Sequence, residues 1–197
     1  MIRIPLLLAL LAAAPAHAAI GSDPDWPCIQ RKQPHLSLGQ LWTGPVPDEQ
    51  VMELAETPPI AQLAARLEQR RLPLDQAATL IGDFAQGADD RQLTALMQAI
   101  FTRIERDRSA LIAGISRYGR AQVALADRIK DRRTRFEEMQ AAPSPDFDAI
   151  DVEEEALDWD MRIFQDRQKS LTYVCETPVI LEQRAFALGR EIAGHLD

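Results

Sequence analysis

From Leu93 to Met139 the chain carries no proline, and across that run large side chains return at every seventh position. Met97, Ile104, Leu111, Tyr118, Leu125, Arg132 and Met139 form one series, and Leu93, Ile100, Ile115, Ile129 and Phe136 supply much of a second seam. A seven-residue step keeps one face of a helix turned toward one neighbour, as in a coiled coil. The run therefore predicts a single helix over about residues 89–141, roughly 75 Å long at 1.5 Å per residue. A helix of that length outgrows an ordinary globular core and needs a partner as long as itself. Gly114 and Gly119 are its weak points, each costing about 1 kcal/mol relative to alanine, and whether the helix bends at either is left open by the sequence.

The partner lies directly downstream. Ala142-Pro143-Ser144-Pro145 predicts a turn over 142–145. Ile150, Leu157, Phe164 and Leu171 then keep the seven-residue step in a second helix, about 146–196, with Met161 and Val174 or Cys175 between them. Pro178 removes one backbone donor and crowds the preceding turn, so a kink is expected there. Folding at the turn sets Arg128–Arg135 opposite roughly Glu154–Met161. The first segment holds Arg128, Lys130, Arg132, Arg133 and Arg135; the facing neighbourhood holds Asp151, Glu153, Glu154, Glu155, Asp158 and Asp160. Exposed pairs of this kind contribute a few tenths of a kcal/mol each, so they select orientation more than they stabilise.

Upstream, two shorter amphipathic segments are expected at 59–71 and 74–86. Ile60, Leu63, Ala64 and Leu67 mark the first, with Thr57 as cap, and Ala77, Leu80, Ile81 and Phe84 mark the second, which Gly87 ends. Leu72-Pro73 separates them. Helices this short cannot bury their stripes alone. They are expected to complete a four-helix base with the near ends of the long helices, where Leu96, Met97, Ile100, Phe101, Val179, Ile180, Leu181, Phe186 and Leu188 spread widely around both. Ile115–Val174 would project from that base as an arm.

Residues 19–57 are different again. Pro24, Pro27, Pro34, Pro45 and Pro47 forbid long helices, while Trp26 and Trp42 argue against a solvated linker. The segment reads as an extended strap, with one short helix near its end from Asp48, as cap, to Glu56. Each tryptophan is either a peg in the chain's own helical groove or a contact for a partner. The expected architecture is thus all-α: a long antiparallel helical hairpin, coiled-coil-like, with a small helical base and a proline-rich N-terminal strap, the helical domain occupying 58–197.

The first eighteen residues read as an address. Arg3 gives a positive start, Ile4–Ala14 an apolar stretch of about eleven residues, and Ala16-His17-Ala18 a small-x-small cleavage site. The stretch falls far short of the roughly 20 residues that span a bilayer, so no stable membrane insertion is expected after cleavage. The composition, low in lysine and rich in alanine and arginine, fits a bacterial chain, and the expected location is periplasmic or secreted. In an oxidising compartment Cys28 and Cys175 are expected to pair. The hairpin sets Cys175 opposite Gly114, so the strap is expected to cross there, where Ala110, Ala113 and Gly114 leave room.

Motifs for chemistry are thin. Without its address segment the chain keeps two histidines, His35 and His195, and pairing of the cysteines leaves too few ligands for a structural zinc site. Asp146, Asp148 and Asp151 lack the spacing, glycine and terminal glutamate of a calcium loop. Gly114-Ile115-Ser116-Arg117-Tyr118-Gly119 has the wrong spacing for a nucleophile elbow, and no phosphate-binding glycine loop occurs. No cofactor, metal or catalytic residue is assigned. Net charge is −8 for the whole chain, one unit more negative without Arg3, which disfavours nucleic acid and anionic membranes as partners. The expected function is that of an interaction or adaptor protein offering a helical face to a protein of the cell envelope, with self-association through the arm's second face left open. The alternative is a holdase chaperone for unfolded exported chains; an enzyme with a helical active site is the third class.

Overall fold

The computed structural model describes residues 23 and 25–197. The expected address segment, residues 1–18, lies outside the described residues. Among the described residues the fold is all-helical, as the periodicity requires: a single 3-10 turn at Leu38–Gln40 precedes five α-helices. These are α1 (Glu49–Ala55), α2 (Pro58–Leu67), α3 (Leu74–Ala85), α4 (Asp90–Gln140) and α5 (Phe147–Ala193).

Local chemistry sets the ends. Asp48 accepts from the Val51 amide at 2.9 Å to start α1. Asp89 and Gln92 cap α4 reciprocally, at 2.8 and 3.0 Å. Asp146 accepts from the Ala149 amide at 3.1 Å to start α5. Thr57 occupies the capping position of α2 but does not cap it; its hydroxyl donates back to the Leu54 carbonyl at 2.7 Å, tying α2 to the helix before it. Pro58 and Pro59 have no backbone N–H, so the first turn needs fewer acceptors from a cap. α2 also ends at Leu67, four residues before the expected boundary, because Arg184 of α5 takes its terminal carbonyl.

α4 and α5 pack along each other as an antiparallel hairpin, and α4 is helical without interruption through Gly114 and Gly119. α5 likewise continues through the buried Pro178. The short helices close the base: α1 and α2 lie on α4, and α3 lies on α5. Its core combines Val51 and Ala55, Ile60, Ala64 and Leu67, Ala77 and Ile81 with Leu93, Leu96, Met97, Ile100 and Ile104 of α4 and Leu181, Ala185, Leu188 and Ile192 of α5. The base therefore has five helical contributors rather than four, since α1 inserts as well.

The strap runs back along α4. Arg120 pairs with Asp25 at 2.7 Å, Leu36 N–H donates to Glu105 at 3.1 Å, and Arg91 bonds Asp48 at the far end. Cys28 and Cys175 are bonded, with their Cα atoms 5.6 Å apart. The strap approaches α4 most closely at Gly119, not at Gly114. A Cβ at Gly119 would stand 2.5 Å from the Asp25 carbonyl oxygen, whereas one at Gly114 would meet only its own helix's Arg117 at 3.7 Å. A second seat lies at Gly189, where a Cβ would come within 2.6 Å of the Leu41 carbonyl oxygen. Glycine is required at both because backbone, not a yielding side chain, occupies the space.

Candidate interaction surface and groove

The arm's inner seam is partly ionic. Arg128 forms a bidentate pair with Asp160, both bonds 2.9 Å, and Arg132 bridges Asp160 at 3.0 Å and Glu153 at 3.1 Å. The Asp160 side chain is buried, and the hydrogen bond from Arg128 is the main reason its carboxyl is held below the usual range, with Arg132 adding to it. Nearer the base, the Tyr118 hydroxyl donates to the Arg167 carbonyl at 3.0 Å, and burial pushes the phenol up from its ordinary value.

Only part of the acidic stretch takes part. Asp151, Glu154, Glu155 and Asp158 form no ion pair among the described residues and border a shallow depression on the outer side of α5, together with Val152, Trp159 and Arg162. The expectation that this stretch is an arginine-paired face thus holds for Glu153 and Asp160 alone, because a helix turns successive carboxylates in different directions.

On that outer side lies a feature the sequence reading passed over. Val152, Trp159, Tyr173 and Ile180 are 68 %, 60 %, 76 % and 41 % exposed. They keep the seven-residue step of the inner seam but are displaced from it by two positions, with Asp166 in the one gap. α5 therefore carries two heptad stripes, one closed on α4 and one open. The signal was present in the sequence; the density of carboxylates around Trp159 disguised it as a solvated face.

The two tryptophans singled out from the sequence part company. Trp42 is buried in the base, its indole N–H donating to the Pro45 carbonyl at 2.8 Å. Trp26 is half-buried, its indole N–H donating to the Gln30 carbonyl at 2.7 Å and Lys32 lying 5.8 Å from the ring centre. Beside it a groove of about 540 Å³ opens between the strap and the hairpin, edged by Arg108, Ile112, Val179 and Phe186. Val179, Ile180 and Phe186, expected to help fill the base, are instead exposed: Val179 and Phe186 stand at the margin of the strap, which rather than another helix covers this side, and Ile180 belongs to the open stripe.

His35 Nδ1 lies 3.1 Å from Glu105, and His195 lies 3.6 Å from Glu191. Among the described residues no three His, Cys, Asp or Glu side chains gather as metal ligands would, and no helix is long and apolar enough to cross a membrane. Comparison with protein-family models, with curated proteins and with solved structures finds no match to this chain.

Proposed function

We propose that this chain is an exported interaction protein of the cell envelope, whose coiled-coil-like arm offers the open stripe of α5 to a helical protein partner. The observation that carries the reading is the stripe itself: Val152, Trp159, Tyr173 and Ile180, all exposed and heptad-spaced. Isolated exposed apolar residues need no explanation, but a repeat in helical register matches the way one helix seats another. Trp159 and Tyr173 supply the large side chains that dominate such contacts.

Charge defines the partner further. Asp148, Asp151, Glu155 and Asp158 flank the outer half of the stripe, so it favours an amphipathic helix with lysine or arginine beside its apolar face. The bonded cysteines support the oxidising compartment to which an address segment would deliver the chain.

The test is crosslinking of the native chain in its own envelope, repeated with the double variant Trp159→Ala/Tyr173→Ala. The expected result is one partner at fixed stoichiometry, reduced at least tenfold in the variant at unchanged helicity, and binding again when purified. Recovery of many unrelated exported chains at near-stoichiometric ratio would assign a holdase instead. Recovery of the chain's own copies alone would assign the stripe to self-assembly.

A further inference from the structure

The base contains a buried cation whose hydrogen-bonding capacity is not used. Arg108 is 3 % exposed. Its Nη2 lies 3.6 Å from Glu182 Oε2, beyond hydrogen-bond length, and its Nε and Nη1 are enclosed without a partner. Arg184, also buried, and Arg103 each leave one enclosed nitrogen without a partner. But Arg184 has two backbone carbonyls and Arg103 has Glu68 at 2.8 Å, whereas Arg108 has no acceptor within hydrogen-bond length. A guanidinium removed from water is costly unless acceptors replace the water, so a buried arginine left short of acceptors is poised for one.

Arg108 lines the groove beside Trp26. Its volume, about 540 Å³, falls in the range of small-molecule sites, roughly 300–1,000 Å³. The other walls divide by chemistry: Trp26, Ile112, Val179 and Phe186 are apolar, and Gln30 and Gln183 bring amide groups to the rim. We propose that this groove binds an organic monocarboxylate with an apolar body, the carboxylate on Arg108 and the body against Trp26, Val179 and Phe186.

The class follows from the charges present. A planar guanidinium matches a planar carboxylate fork to fork. Arg108 and the exposed Arg31 line the groove with Glu182 as its one carboxylate. The lining thus carries a single positive charge in excess, which suits one negative charge better than a compact dianion such as phosphate. Glu182 is itself a carboxylate, partly exposed and loosely held, and it acts as an internal competitor that an incoming acid displaces toward solvent. The apolar walls add what Arg108 does not supply, affinity for the body of the ligand. The inference is independent of the open stripe, whose Val152, Trp159 and Tyr173 lie further along the arm and whose Ile180 does not line the groove.

Calorimetric titration of the whole, disulfide-bonded chain with octanoate, octanamide and inorganic phosphate tests it. Octanoate is expected to bind saturably at one site, and octanamide at least tenfold more weakly. Glu182→Gln should tighten octanoate at least threefold by removing the competitor, and Arg108→Gln should abolish binding. Should Arg108→Gln fail to fold, Glu182→Gln and the amide carry the test, since Glu182 is partly exposed. Equal affinity for octanamide, phosphate bound as tightly as octanoate, no change in Glu182→Gln, or no saturable binding would each overturn the proposal. A tripeptide ending in leucine with a free terminus separates the two sources of such a carboxylate. Tighter binding than octanoate points to protein C-termini, and weaker binding to free organic acids.

Discussion

Arg184 donates from Nε to the carbonyl of Leu67 at 2.7 Å, reaching from α5 into the last residue of α2. Its Nη1 donates to the Leu72 carbonyl at 2.9 Å. Terminal helix carbonyls have no partner within their own helix, and the negative end of the helix dipole offsets a cation placed there. Burial pushes the Arg184 guanidinium below its ordinary value, and no carboxylate pairs with it among the described residues. The carbonyls alone hold it. Arg184→Leu should therefore lower unfolding free energy by about 3 kcal/mol, the worth of two hydrogen bonds to a charged donor. Hydrogen exchange should quicken first around residues 66–72. Arg184→Lys should recover only part of the loss, because an ammonium does not reproduce the fork. An unchanged urea midpoint in Arg184→Leu would refute this account of the α2 terminus.

The two glycines of α4 should respond to alanine with opposite signs. At Gly119 the new Cβ would stand 2.5 Å from the Asp25 carbonyl oxygen and 3.0 Å from Pro27 Cδ, so the strap must move. Overpacking of that kind costs about 1–3 kcal/mol, only partly offset by about 1 kcal/mol of helix propensity. At Gly114 nothing but Arg117 lies within reach, at 3.7 Å, and the propensity gain stands alone. Denaturant unfolding of Gly119→Ala and Gly114→Ala should shift in opposite directions. Stabilisation of both would mean that the strap does not bear on Gly119.

Much of this fold is legible in the sequence because a hairpin of long helices has a one-dimensional logic. Period, turn and charge set the pairing, and Tyr118–Arg167, Gln122–Phe164, Arg128–Asp160 and Arg108–Glu182 each fall within four positions of the register read from the turn. The strap's path is less legible, since an extended segment carries no period. Its crossing at Gly119 depends on a close backbone approach that either glycine would permit. The inner face also broadens toward the base. There Ile112, Ser116 and Gly119 are buried while Leu111 and Tyr118 of the expected seam are only half-buried, because α4 meets the strap as well as α5. The Arg108 groove escaped for a related reason: it depends on what the strap leaves uncovered, and no local pattern encodes that. The open stripe does have a local period, but only the packing shows which of the two stripes of α5 closes on α4.

Acid should loosen the arm through Asp160. Its folded-state carboxyl is held below the ordinary value of 3.8, first by the hydrogen bond from Arg128 and also by Arg132. Since the folded pKa lies below the unfolded one, the carboxylate's contribution is complete above about pH 3.8 and is lost as pH falls through the folded value. In Asp160→Asn that contribution is absent at every pH. The variant should be less stable than the parent at neutral pH, and the gap should close below about pH 3.8. Urea midpoints across the acid range give the comparison; a gap constant down to the lowest pH would exclude Asp160 as the titrating group.

Reduction of Cys28–Cys175 should act on two levels. The bond closes a sequence separation of 147 residues, a loop whose release stabilises the unfolded chain by about 4–5 kcal/mol in the chain-entropy view. Global stability should fall by that order in Cys28→Ser/Cys175→Ser. Within the folded chain the effect should be local. Leu36, Leu41 and Trp42 are anchored in the base by burial and need no covalent tie. The segment around Trp26 has less holding it: the Arg120–Asp25 pair and the Gln30 amide on the Cys175 carbonyl. Hydrogen exchange in the double variant should therefore lose protection over about residues 25–33 and keep it at 36–42. Because Trp26 and Gln30 form one wall of the groove, octanoate binding should weaken along with that protection. Retained protection at Trp26 would mean that packing on Gly119 holds the strap by itself. Retained octanoate affinity with the strap released would place the carboxylate site on α4 and α5 alone.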